Sequence, residues 1–210
     1  MVSRDASEVY GADLPTFARS VQAAYPDLDI NVLDNLDEMV IRGVEADIHV
    51  NPTPAVTVYG VGTLLRGEVL TLDGRDPDPN KPWEARMRRE PPPNATLGVR
   101  WEPTNAPYWA DVFARGAAKQ NRLSNGDIRD PRIPGLTRDR DEVTFDENGA
   151  AVDAGTPGWV TLNARVGTTF RGASRVTLAV ENLFDRRYRW HGSGVDAPGR
   201  NLVVSVDHVF

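Results

Sequence analysis

The chain contains no cysteine, so it has neither a disulfide framework nor a thiolate metal site. It has no basic excess. Its 24 lysines and arginines are outnumbered by 30 aspartates and glutamates, and no basic stripe marks a nucleic-acid partner. No apolar run approaches the roughly 20 residues of a membrane helix. That excludes helical spans but not membrane barrels, whose strands alternate and average out to hydrophilic. The opening MVSRDASEVYGADLP has no basic n-region and no apolar h-region, so it does not read as a secretory signal.

Catalytic and metal-binding signatures are also missing. No Gly-rich loop links a strand to a helix, and no serine sits in a nucleophile elbow. His49, His191 and His208 lie on different elements without metal-ligand spacing. The run DIRDPRIPGLTRDRDEVTFDENG (127–149) does not match an EF-hand loop, and its mixed signs read as a hydrated surface network. Glu181 and Asp207 read as lumen hydrogen-bonding groups rather than an acid–base pair. No enzyme activity and no cofactor are expected.

What the chain does have is punctuation. Its 16 prolines fall at 15, 26, 52–54, 77–93, 103, 107, 131, 134, 157 and 198. Proline cannot donate to a strand ladder, so strands belong between these places. Period-two patterning there predicts about seven strands, near 38–50, 55–67, 94–102, 108–120, 159–170, 175–184 and 200–210. Each has about the ten residues that a tilted membrane strand needs. The connections alternate in length. NPTPA (51–55), PTNAP (103–107) and RGAS (171–174) are tight, whereas 68–93, 121–158 and 185–199 are long, charged and rich in glycine and proline. Short turns on one side and long loops on the other is the layout of an outer-membrane barrel.

Each strand sorts its residues by parity. Val160, Leu162, Ala164, Val166 and Phe170 oppose Thr161, Asn163, Arg165, Gly167 and Thr169. Val176, Leu178 and Val180 oppose Thr177, Ala179 and Glu181, while Val61 and Leu65 break the pattern of their own strand by falling on its polar face. In a soluble sandwich the apolar face is the core; in a membrane barrel it faces lipid, with a wet lumen opposite. Alternation alone cannot separate the two. Trp101, Tyr108, Phe170 and Phe210 share the apolar parity and stand next to a short turn or the terminus, as a periplasmic aromatic girdle would. In the last strand Leu202, Val204, Val206, His208 and Phe210 share one face.

At this point the chain resembles the TonB-dependent outer-membrane receptors. The resemblance runs from about residue 37 through IRGVEADIHV (41–50), NATLGVRWEP (94–103), LNARVGTTF (162–170), VENLFDRRYRWHGSG (180–194) and PGRNLVVSVDHVF (198–210). It implies an all-β fold, an antiparallel meander forming the C-terminal segment of a transmembrane barrel of about 22 strands. It implies that Leu202, Val204, Val206, His208 and Phe210 form the signal read by the barrel-assembly machinery, with His208 standing where the family more often has Tyr. It also implies import of a scarce ligand such as a ferric siderophore, haem or cobalamin across the outer membrane of a Gram-negative-type bacterium. Tyr188, Trp190 and His191 in the last long loop are candidate contacts for that small-molecule ligand, a metal chelate for instance.

Outer-membrane lipid is a further expected partner, and TonB would act through a plug that this sequence does not contain. Residues 1–36 are expected to be an extracellular-loop remnant, in which Leu14, Phe17 and Val21 have helical spacing, and 37–210 the barrel segment. A natural fragment, a truncated reading frame or a misplaced start would account for the missing plug and export signal. Two other readings stay open: a soluble β-rich ligand-binding module, or another outer-membrane barrel, porin-like or enzymatic.

Overall fold

The computed structural model describes residues 2–5, 16–25, 31–34, 38–72, 74–133, 143–170 and 174–208. A short antiparallel pair, β1 (Val2–Asp5) with β2 (Asn31–Asp34), and a helix at Thr16–Ala24 come first. Seven strands then lie side by side in chain order, each antiparallel to its neighbours. They are β3 (Glu38–Thr53), β4 (Val56–Thr71), β5 (Asn94–Trp101), β6 (Tyr108–Ala117), β7 (Trp159–Phe170), β8 (Ser174–Glu181) and β9 (Asn201–His208). This is the expected meander. The sheet is not closed: β3 and β9 are its two edges.

The strand bounds depart from the sequence reading where local chemistry decides them. β3 continues through Pro52 with a register shift between Val50 and Thr53, which an edge strand tolerates because it needs no donor on its outer side. β4 runs on to Thr71, past the bound at 67 read from the sequence, because its last residues pair with the start of β3 and with Arg86. β8 stops at Glu181 because Asn182 adopts φ 52°, a left-handed conformation that asparagine reaches more readily than most residues.

Register carries the parity across the whole sheet. One row joins Val50, Val58, Val99, Val112, Ala164, Val180 and Leu202 through successive strand pairs. The next row, one residue along, joins Thr57, Arg100, Asp111 and Arg165 on the opposite face. Exposure decides which face is which. In β7 Val160 is 66% exposed and Val166 49%, whereas the intervening Thr161 and Asn163 are 4% and 6% exposed. The apolar face is bare and the polar face is covered, the reverse of a soluble sandwich. Val61 and Leu65 do sit on the polar face, opposite Asp47 and Gly43.

The hydrophobic core lies in the loops. Leu123, Ile128, Ile133, Ala151 and Ala154 are buried together, with Trp83, Val143 and Phe145 packed against them. Trp83 and Phe145 bring the 72–93 and 118–158 connections into contact, their rings 5.1 Å apart. The run 127–149 is therefore not simply a hydrated network: Asp127, Ile128, Asp130 and Ile133 are buried, while 134–142 lie outside the described residues. Its carboxylates are neutralised by hydrogen bonds instead of by water. Asp127 accepts from Ser124 N and Oγ at 3.0 and 2.9 Å and from Arg89 N at 3.0 Å. The buried Asp130 carboxylate has Arg88, Arg89 and Arg132 around one oxygen.

Candidate functional site

On the polar face the central rows of β4 to β7 build an ordered wall. Arg165 reaches across from β7, its Nε donating to Asp111 Oδ2 at 2.7 Å, and Tyr59 donates its hydroxyl to the same carboxylate at 3.1 Å. Asp111 is 1% exposed. A carboxylate so buried has its oxygens met by a guanidinium and a phenol. Two glycines make the wall possible. Tyr59 lies over Gly98 and Trp109 over Gly167, where an added Cβ would stand 2.4 Å and 2.5 Å from ring atoms. The Arg100 guanidinium sits 4.1 Å from the Trp109 ring centre and Arg165 lies 5.0 Å from that of Phe113, both in cation–π range. Sequence reading did not single out Tyr59 or Trp109; their glycine partners across the ladder were the available signal.

Above the wall, Trp159 links the sheet to the last loop. It is 5% exposed, with Tyr188 4.1 Å away and Trp190 edge-on at 4.8 Å. His191 shares a 2.9 Å hydrogen bond between its Nδ1 and Thr156 Oγ1, and its Nε2 is enclosed without a partner. Burial pushes the imidazole below its ordinary value of 6.5; the nearby Asp127 and Asp130 oppose that and Arg89 adds to it. Tyr188 and Trp190 are thus brought together on Trp159, and His191 is held at Thr156. Beside them is a cleft of ≈ 320 Å³ lined by Trp159, Arg186, Arg187, Tyr188, Arg189 and Asp196.

Asn182 holds this loop to the sheet, a role the sequence reading missed. Its N–H donates to Asn163 Oδ1 at 2.9 Å, its amide donates to Arg186 O and Pro198 O, and its Oδ1 accepts from Arg186 N. An asparagine between the end of a strand and a long loop was the signal.

The remaining candidates lie on the bare face. Trp101 and Tyr108 meet at 5.7 Å across a tight turn, both about half exposed, and Phe170 ends β7 on the same parity, exposed at its far end. Leu202, Val204 and Val206 oppose Val180, Leu178 and Val176, and His208 opposes Ser174, to which its Nδ1 is bonded at 2.9 Å. Phe210 lies outside the described residues. Among the described residues no group of His, Asp or Glu could hold a metal ion, and no helix is long and apolar enough to cross a membrane.

A family profile described as TonB dependent receptor-like, beta-barrel, matches residues 9–183. The chain belongs to the TonB-dependent receptor family. It matches none of the curated proteins compared with it. Among solved structures, the copper transporter OprC superposes with a TM-score of 0.58 at 18% identity, over 87% of this chain and 24% of that one. The FrpB iron transporter from Neisseria meningitidis gives 0.56 at 14% identity, over 81% and 24%. The ferric citrate transporter FecA gives 0.54 at 17%, again over 81% and 24%. These identities speak for the shared fold. The chain spans about a quarter of the length of these TonB-dependent receptor relatives.

Proposed function

We propose that this chain is the C-terminal wall of an outer-membrane receptor that imports a scarce, metal-containing small molecule, the solved relatives being described as carriers of copper, iron and ferric citrate. The observation that carries the reading is the inverted sorting of the sheet, apolar outward and polar inward, under long loops that pack into an ordered body. In this reading the bare face meets outer-membrane lipid of a Gram-negative-type bacterium. Loops 68–93, 121–158 and 185–199 stand outside the cell. Trp101, Tyr108, Phe170 and Phe210 form the periplasmic girdle. TonB acts on a plug that lies elsewhere in the receptor.

The cargo contacts are assigned to Tyr188, Trp190 and His191, because Tyr188 and Trp190 pack on Trp159 beside an arginine-lined cleft and His191 follows them in the same loop. The alternating end of the chain, Leu202, Val204, Val206, His208 and Phe210, is assigned as the signal for the barrel-assembly machinery.

Uptake of labelled ferric chelates by cells expressing the full-length protein tests this reading. Uptake should stop when the inner-membrane proton gradient is dissipated, and Trp190→Ala should weaken chelate binding to the cell surface. Uptake indifferent to the gradient would contradict it and favour a passive, porin-like barrel.

A further inference from the structure

β5, β6 and β7 each carry one arginine on the polar parity: Arg100, Arg115 and Arg165. Two of them are matched. Arg100 lies 2.8 Å from Glu102, and Arg165 lies 2.7 Å from the buried Asp111. Arg115 is exposed, and no carboxylate of the described residues pairs with it. Its neighbours across the ladder, Thr96 and Thr161, are neutral. Further along that row Val61 follows Thr96 and Asp47 follows Val61. The first carboxylate of the row is therefore three strands away, about 14 Å at ordinary strand spacing. Asp111 lies roughly 13 Å down β6, and it is already held by Arg165 and Tyr59.

The surroundings give this unmatched charge a use. Ala117 pairs with Trp159 and Arg115 with Thr161, so on the polar face Arg115 stands one row below Trp159. Its guanidinium is 6.0 Å from the Trp190 ring centre, at the outer limit of cation–π range. The side chain thus reaches toward the last loop, and no hydrogen bond to the described residues engages its N–H donors.

We infer that Arg115 is a specificity-determining contact of the imported chelate, taking an ionised oxygen of the cargo beneath Trp190. A guanidinium offers its donors in a fixed fork that suits a carboxylate or a phenolate. The inference rests on the import reading above and narrows it. The cargo is a chelate that keeps a net negative charge, as carboxylate and catecholate complexes of ferric iron do and a neutral trihydroxamate complex does not.

The test uses the full-length protein in detergent and radio-iron probes of known charge: ferric citrate, ferric enterobactin (a tricatecholate) and ferrichrome (a neutral trihydroxamate). The wild type should retain at least one of the anionic chelates, and more tightly than ferrichrome. Arg115→Gln should weaken that chelate about tenfold, the loss expected for one hydrogen bond to a charged group. Arg115→Lys should recover most of it. Added salt should weaken binding to the wild type more than to Arg115→Gln. Arg175→Gln, on the same parity of β8, should change nothing.

A wild type that prefers ferrichrome would overturn the inference and leave the import reading standing. So would an anionic chelate held equally by the wild type and Arg115→Gln, with Arg115 then left to a carboxylate elsewhere in the receptor. Equal losses of charged and neutral chelates, with unchanged salt dependence, would overturn it too, because they mark an arginine that only steadies Trp190. Retention of none of the probes by the wild type would instead remove the import reading, and this contact with it.

Discussion

In the loop body around Leu123 the apolar side chains are buried together, and the buried carboxylates of Asp127 and Asp130 are met by hydrogen-bond donors and guanidiniums. In β7 the order is reversed, with Val160 bare and Thr161 covered. One chain therefore follows two solvent rules within a few residues, and the changeover falls near Trp159, where β7 leaves the loops. The loops are stabilised as a water-soluble domain is, by burying Leu123, Ile128 and Ile133 against Trp83 and Phe145. The sheet holds together by backbone ladders and by the polar wall of Tyr59, Asp111 and Arg165, and under the proposed function its apolar rows gain their stabilisation from contact with lipid.

The contrast predicts unequal costs for similar substitutions. Leu123→Ala, at a fully buried site, should destabilise the loop body by about 2–5 kcal/mol. Leu97→Ala, on the outer face at 63% exposure, should cost far less. Hydrogen exchange of the loop amides beside unfolding of the full-length protein in bilayers measures both. Comparable losses would dissolve the distinction between the two regions.

Charge is the next probe. Leu178→Arg should cost roughly 2–4 kcal/mol if it lies at mid-membrane depth, whereas Thr177→Arg on the opposite face should be tolerated. Refolding yields into bilayers compare the two directly, and equal effects would sink the inward and outward assignment. In the loop body the sensitive charge is instead Asp127. Asp127→Ala strands the N–H donors of Ser124 and Arg89 in a buried place and should cost about 1–3 kcal/mol there, read by protease resistance of the loops.

The smallest effect expected is on pH dependence. His191 has its folded-state pKa held below the ordinary 6.5, so the unfolded loop takes up the proton first. Its contribution is fully present above about pH 6.5 and is lost as the pH falls through the depressed value. Loop protection measured across that range should decline on acidification in the wild type and decline less in His191→Gln. The sheet, probed by its heat-modifiable mobility, should not follow.

The same contrast sets what could be read from sequence. The strands were legible because period two is imposed on each of them and proline is excluded from their interiors, so Val176, Leu178 and Val180 announced a face before any fold was known. Which face was wet was not legible from alternation, since both solvents produce it. The loop core was hidden for a different reason. Leu123, Ile128 and Ile133 are scattered among aspartates and arginines with no period, and their burial depends on Trp83 from another connection. Of the candidate site, the last-loop cluster of Tyr188, Trp190 and His191 was visible as aromatics in a loop. The anchoring Asn182 and the glycine-backed Tyr59 and Trp109 were not, because their partners lie on other strands.

The central claim is that the apolar parity faces lipid and the polar parity faces the lumen. The absence of cysteine makes the chain suited to site-directed spin labelling, one introduced cysteine at a time. Labels at residues 175 to 180 of β8, in the full-length protein reconstituted in bilayers, report collision with oxygen, which concentrates in lipid, and with a water-soluble nickel chelate. Oxygen collision should peak at 176, 178 and 180 and the nickel signal at 175, 177 and 179. Peaks on the opposite parity, or no period of two at all, would contradict the account.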